Sequence, residues 1–201
     1  MVGTRMVRTP MTRSLLFCIM LVSLLSLPAV SQPTGQTAKM PAIDNDRVTV
    51  WDVTAGSAMP LDSVVVSFSG TATFAPKGTA PKIDGRSLVI NLKDHPVAPI
   101  ANPTKFPLGF PRPGSKKLFE NDRVIVWDYT WEPDVATPMH FHDKDVVVLF
   151  LEEGDLKSTS PDGKSVVNSY TPGTIRFNLR DRTHTETLVK GKQRALITEL
   201  K

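Results

Sequence analysis

The chain has 201 residues, with 24 Lys and Arg against 20 Asp and Glu, a formal net charge of +4 and a single cysteine. Three of the 24 basic residues, Arg5, Arg8 and Arg13, stand at the N-terminus; without the first 31 residues the balance is 24 − 3 = 21 against 20. A near-neutral remainder argues against a nucleic acid or an anionic membrane surface as partner.

The three arginines precede an apolar run from Leu15 to Leu27, then Pro28 and Ala29-Val30-Ser31. This is a secretory signal layout: a basic start, an apolar core and small residues before a cleavage point ahead of Gln32. Starting at Met6 or Met11 leaves it intact. The run is too short to favour a membrane span, and a retained N-terminal anchor is the alternative. Cys18 lies inside the run, so the exported protein has neither a disulfide nor a catalytic thiol. It is not placed as a lipoprotein cysteine. The expected location is the periplasm or the outside of a bacterial cell.

Residues 32–40 read as a loose polar leader. From Arg47 onward, short β-branched and aromatic runs alternate with Gly, Pro, Asp and Asn, and no long amphipathic helix is found, which predicts an all-β fold. Residues 41–95 and 115–201 read as two copies of one unit. Asn45-Asp46-Arg47-Val48-Thr49-Val50-Trp51-Asp52 returns as Asn121-Asp122-Arg123-Val124-Ile125-Val126-Trp127-Asp128. Ser63-Val64-Val65-Val66-Ser67-Phe68 parallels Asp145-Val146-Val147-Val148-Leu149-Phe150. Asn91-Leu92-Lys93-Asp94 parallels Asn178-Leu179-Arg180-Asp181. On this alignment Val97 takes the place of His184, and His95 aligns with Arg182, so His95 reads as a lone histidine without a metal.

Each copy is near the lower size limit for burying a core alone, and packing the two face to face would solve that. Residues 96–114 form a Pro/Gly-rich linker whose phenylalanines suggest that it packs along a barrel; a catalytic lid is the functional alternative. Val146 to Leu151 is a continuous apolar run, suited to a strand buried on both faces or at a subunit contact. Pro161-Asp162-Gly163-Lys164 predicts a turn between Lys157-Ser158-Thr159 and Ser165-Val166-Val167.

The most informative feature is Pro138-Met139-His140-Phe141-His142, followed by Gly173 and His184. In a strand, residues i and i+2 share a face, so His140 and His142 can aim at one point while Phe141 turns away. A third imidazole from a later strand would complete a three-nitrogen site for a divalent transition metal with coordination positions left open. Unligated histidines are the bland alternative for His-x-His alone, and the third histidine weighs against it. The first copy has no His-x-His; it runs Ala58-Met59-Pro60-Leu61-Asp62 into its valines.

The stretch from Pro138 to His184 resembles the two metal-binding motifs of the cupin superfamily. His140, His142 and Gly154 match the first motif, and Gly173 and His184 keep the spacing of the second. Leu179 and Asp181 stand at that motif's proline and glycine positions, and Val147 stands where the first motif has a glutamate. The resemblance implies a double-stranded β-helix (jelly-roll), here as a bicupin of two tandem copies with a degenerate N-terminal copy. It also implies one divalent metal, Fe, Mn, Zn, Ni or Cu, held by His140, His142 and His184. Asp145 is the first candidate to replace the missing glutamate; a polar turn with Asp143 and Lys144 is its other reading. Glu186 is a second stand-in or an acid orienting an imidazole. Arg182 shares strand parity with His184 and could pair with a substrate carboxylate, or be a solvated strand-end arginine.

The implied function is metal-dependent chemistry on a small polar or carboxylate-bearing molecule, of dioxygenase or isomerase type. The alternative is a non-catalytic cupin that binds a metal or small ligand. A small molecule is the expected partner, and a homodimer stays open. An open cavity with an arginine or acid in reach would favour catalysis; a closed apolar one would favour binding or structure.

Overall fold

The computed structural model describes residues 40–56 and 58–201; the expected signal segment, Cys18 and all of the leader except Met40 lie outside these residues. Strands β1 (Ile43–Asp44), β2 (Val48–Val53), β3 (Ser63–Ser67), β4 (Ala72–Ala75) and β5 (Ser87–Leu92) come first. They form one five-stranded antiparallel sheet in the order β1-β2-β5-β3-β4. After the linker come β6 (Ser115–Glu120), β7 (Val124–Trp131), β8 (His140–His142), β9 (Asp145–Phe150), β10 (Gly154–Thr159), β11 (Ser165–Tyr170), β12 (Ile175–Asn178), β13 (Arg182–Gly191) and β14 (Gln193–Leu200). These make two sheets, β6-β7-β14-β9-β12 and β11-β10-β13-β8. No helix occurs among the described residues.

Side-chain alternation along β7, β9 and β14 builds a separate core on each face of the second sheet. Trp127, Tyr129, Trp131, Val146, Val148, Phe150, Ala195 and Ile197 point from the second sheet towards Leu156 and Leu188 of the third, filling a barrel. The opposite faces of the same strands, through Val124, Val126, Val147, Leu149, Leu196 and Leu200, meet Val48, Val50, Val64, Val66, Leu88 and Ile90 of the first sheet. Strand β9 is therefore buried along its whole length on both faces, as its unbroken apolar run predicts. The predicted hairpin forms too, with Thr159 opposite Ser165 and Gly163 at a positive φ of 81° in the turn.

Strand pairing places the duplicated unit more closely than sequence can. Val48 and Val124 pair with Leu92 and Leu200, and Asp52 and Asp128 pair with Leu88 and Leu196, so β5 is the counterpart of β14. Asn91 therefore corresponds to Glu199, and the match of Asn91-Leu92-Lys93-Asp94 to Asn178-Leu179-Arg180-Asp181 is local likeness at two strand ends. Ser63 faces Asn91 and Val146 faces Glu199, which moves the valine alignment by one: Asp62, not Ser63, corresponds to Asp145. A run of valines carries no register of its own; hydrogen-bonded neighbours set it.

The first copy is a single sheet. Its turn from Ser67 to Thr71 replaces the excursion through β10 and β11, and its segments 54–62 and 76–86 replace β8 and β13. Short loops carrying Met59 and Ile83 close the outer face of that sheet. No strand forms in either segment among the described residues, and neither segment contains a histidine. His95 and Val97 follow β5, so neither stands at a position equivalent to β13, and His95 is exposed.

The two copies are joined by reciprocal contacts. Arg47 of the first copy pairs with Asp145 of the second at 2.6 Å, and Arg123 of the second with Asp62 of the first at 3.7 Å. Arg47 donates to the carbonyl of Lys201, and Arg123 to that of Lys93. Two of the tight turns, at Gly70 and Gly173, have φ of 92° and 90°; a β-carbon at Gly70 would meet Arg194 of the other copy, and one at Gly173 would meet Arg86. The positive φ strains any other side chain at both places, whereas the arginine ends that a β-carbon would meet are flexible.

Candidate metal centre

Strands β8 and β13 run antiparallel, with His184 directly opposite His140 and Arg182 opposite His142. Opposed residues share a sheet face, so the three imidazoles converge while Phe141 turns into the packing behind. Asp181 holds φ at 62° just before β13 and donates its N–H to the carbonyl of His142. This is where the cupin motif has glycine, and aspartate is among the few side chains that enter the left-handed region readily.

The Nε2 atom of His142 lies 3.1 Å from that of His140 and 2.9 Å from that of His184. A carbonyl oxygen only accepts, so His140 donates from Nδ1 to Pro138 at 2.7 Å and keeps its lone pair on Nε2. Ser158 Oγ is 3.0 Å from Nδ1 of His184, and Nδ1 of His142 is buried without a partner. Two nitrogens bound to one ion at about 2.1 Å are about 3.0 Å apart when their bonds meet at right angles. The spacing therefore fits three imidazoles on one face of an ion. Without a cation, His142 Nε2 can donate to one neighbour at most, leaving crowded lone pairs.

The electrostatics also favour neutral ligands. Burial, followed by the charges of Arg112 and His184, pushes the His140 imidazole down to about 4. Burial likewise lowers His142, with Arg182 next in importance, and lowers His184 although Glu186 opposes it. Neutral imidazoles with exposed lone pairs are what a transition metal binds.

The remaining candidate residues separate clearly. Asp145 is not at the cluster. It lies on the face of β9 shared with Val147 and Leu149, which points to the first sheet, while Val146 and Val148 face the cavity. Its carboxylate takes Arg47 and the N–H of Arg180 instead. Glu186 does face the cavity, accepting from Trp131 Nε1 at 3.2 Å and lying 3.4 Å from Arg112. Burial pushes its carboxyl up, but His184 and Arg112 outweigh that and hold it below the usual range. Arg182 and Arg176 line the same cavity, whereas Arg180 turns away to the carbonyl of Ala98.

Sequence reasoning missed the contribution of the linker. The linker segment at Leu108 bridges to Phe141, with Gly109 N–H donating to Phe141 and Phe141 N–H donating to Pro107. This carries Arg112 into the barrel, stacked 4.0 Å from the ring centre of Tyr129 and 4.6 Å from that of Phe110. Its Nη1 lies 3.0 Å from His140 Nε2. The available signal was an arginine enclosed by aromatic residues and prolines, in Phe110-Pro111-Arg112-Pro113.

Gly109 packs directly against the histidine cluster: a β-carbon there would lie 3.0 Å from Cε1 of His142 and 3.3 Å from Cδ2 of His140. We expect Gly109→Ala to displace both rings by a few tenths of an ångström and weaken metal affinity about tenfold. Chelator competition beside a melting curve checks this; an unchanged affinity with an unchanged fold would show that the rings have room.

A sheet bearing β8, β10 and β13 against one bearing β7, β9 and β14, with three histidines on the inner face, defines the class: the chain has the cupin fold, a double-stranded β-helix. Among solved structures it is similar to a cupin domain protein from Bordetella pertussis Tohama I, at 27% identity over 46% of this chain and 99% of that one, TM-score 0.40. A cupin 2 conserved barrel domain protein from Leptotrichia buccalis is 13% identical over 86% of this chain and 97% of its own, TM-score 0.45. An RmlC-like cupin with a double-stranded β-helix fold from Methanocaldococcus jannaschii is 13% identical over 53% and 91%, TM-score 0.37. No protein-family model matches the sequence, and no curated protein matches it.

Proposed function

We propose that the chain is an exported, metal-dependent enzyme that acts on a small carboxylate-bearing molecule by oxygenation or isomerisation. The observation that carries this reading is the convergence of three Nε2 atoms at one point beside a cavity. His140, His142 and His184 would hold a divalent transition metal. Bound there, the ion would supply a Lewis acid with open positions, or a platform for O₂.

The other residues have roles of their own. Arg112 and Arg182 attract and orient a carboxylate. Glu186, held ionised beside His184 and Arg112, is placed to take up a proton from the bound molecule. Phe110, Trp131 and Phe150 narrow the cavity and limit water. A store or sensor of metal would need neither the acid nor the guanidinium beside the ion, which favours catalysis over the binding-module alternative. Export rests on the arrangement of residues 1–31.

The test is metal analysis of the exported protein purified without a histidine tag, beside a His140→Ala/His142→Ala variant. We expect about one metal per chain, lost in the variant while the fold survives. Iron would then direct assays to O₂ uptake, and zinc or manganese to isomerase screens. A wild-type chain that stays metal-free after reconstitution would sink the reading.

A further inference from the structure

Arg112 and a metal would compete for the same electron pair. Nδ1 of His140 is committed to Pro138, so Nε2 offers its one lone pair either to Nη1 of Arg112 or to an ion. Once an ion takes it, the guanidinium needs another acceptor. It cannot swing into water, because its side chain is only 5% exposed and lies against Tyr129, Phe110 and Trp131. Its Nε is already buried without a partner, and its contact with Glu186, at 3.4 Å, is long. Loading the site therefore sets a divalent cation beside a buried guanidinium whose one carboxylate neighbour, Glu186, is only in long contact, an arrangement that a further anion between the two cations would stabilise.

The rest of the cavity has the same bias. It is lined by three guanidiniums, Arg112, Arg176 and Arg182, against the single carboxylate of Glu186. Arg182 donates Nε to the carbonyl of Leu179, and its terminal nitrogens have no partner among the described residues. Arg176, on β12 opposite Val148, lines the cavity from an exposed position and makes no ion pair among the described residues. The cavity measures about 150 Å³, below the range of about 300–1,000 Å³ that holds drug-sized ligands. A space of this size with three guanidiniums against one carboxylate suits a small anion bearing more than one negative charge.

We propose that this cavity binds a small dicarboxylate together with the metal. One carboxylate lies between the ion and Arg112, and the other is held by Arg182 and Arg176. Each ligand tightens the other, as linkage requires. The inference deepens the proposed function and rests on the metal site there.

The experiment measures metal affinity of the exported protein by competition with a chromophoric chelator, with and without malonate. Malonate chelates metals itself, so an uncoupled protein loses metal to it and only coupling gives the opposite sign. We expect malonate to tighten metal binding at least tenfold, acetate to do far less, and the melting temperature of the loaded protein to rise with malonate. Arg112→Gln abolishes the gain while the melting curve of the metal-free protein shows that it folds. Arg182→Gln reduces the advantage of malonate over acetate. A chain that binds metal with an affinity unmoved or weakened by malonate overturns the anion linkage alone. A chain that takes up no metal overturns the proposed function, and the linkage with it.

Discussion

Replacing Asp145 with alanine is expected to cost about 3–5 kcal/mol of folding stability, the usual penalty for removing one partner of a buried ion pair, and to leave the metal content unchanged. The Asp145 carboxylate accepts from Arg47 through one oxygen and from the N–H of Arg180 through the other. The side chains of the pair are 10% and 6% exposed, and burial lowers the Arg47 guanidinium from its ordinary value. Without Asp145, a positive charge and a backbone donor stay behind in the seam between the two copies. The reciprocal pair, Arg123 with Asp62, is longer and about one-third exposed, so Asp62→Ala should cost about 1 kcal/mol or less. Urea midpoints of the two variants, with metal stoichiometry beside them, check this. A stable Asp145→Ala protein that has lost its metal would instead restore Asp145 to the ligand set.

The second large effect is acid sensitivity of the metal-free protein. The unfolded chain takes up protons on its histidines as pH falls through about 6.5, whereas folded His140 resists until about 4. Stability should therefore be complete above about pH 6.5 and decline steadily to about pH 4. The gap is equivalent to about 3 kcal/mol from His140 alone. His142 and His184 are lowered in the same direction, and because the three rings touch, their losses do not simply add. Replacing the trio with glutamine should flatten the profile between pH 6.5 and 4. A metal-free wild type whose denaturation midpoint is level across that interval would contradict the burial of the cluster.

The histidine trio could be read in the sequence because His140, His142 and His184 obey strand parity, which is purely local. The duplication could be read because Asn45-Asp46-Arg47 and Asn121-Asp122-Arg123 make the same turn, each asparagine side chain accepting two backbone N–H groups. The register of the valine strands was hidden, since any valine in the run fits any neighbour until β5 or β14 pairs with it. The fate of Asp145 was hidden for the same reason: which face of β9 points to the cavity is decided by whether the first sheet or the barrel covers it. Arg112 was hidden because a linker shows its purpose only when its backbone hydrogen-bonds to β8.

The first sheet covers the outer face of the barrel wall, and residues 93–114 tether it there. In a pair of separate chains, that cover would come and go with concentration, and folding would weaken on dilution. A short tether holds the covering sheet at an effective concentration on the order of millimolar however few molecules are present. A protein joined in this way keeps its valine face covered at any dilution. The tether also lets the two halves differ, one a single sheet and the other a barrel of two, because a change in one is not repeated in the other.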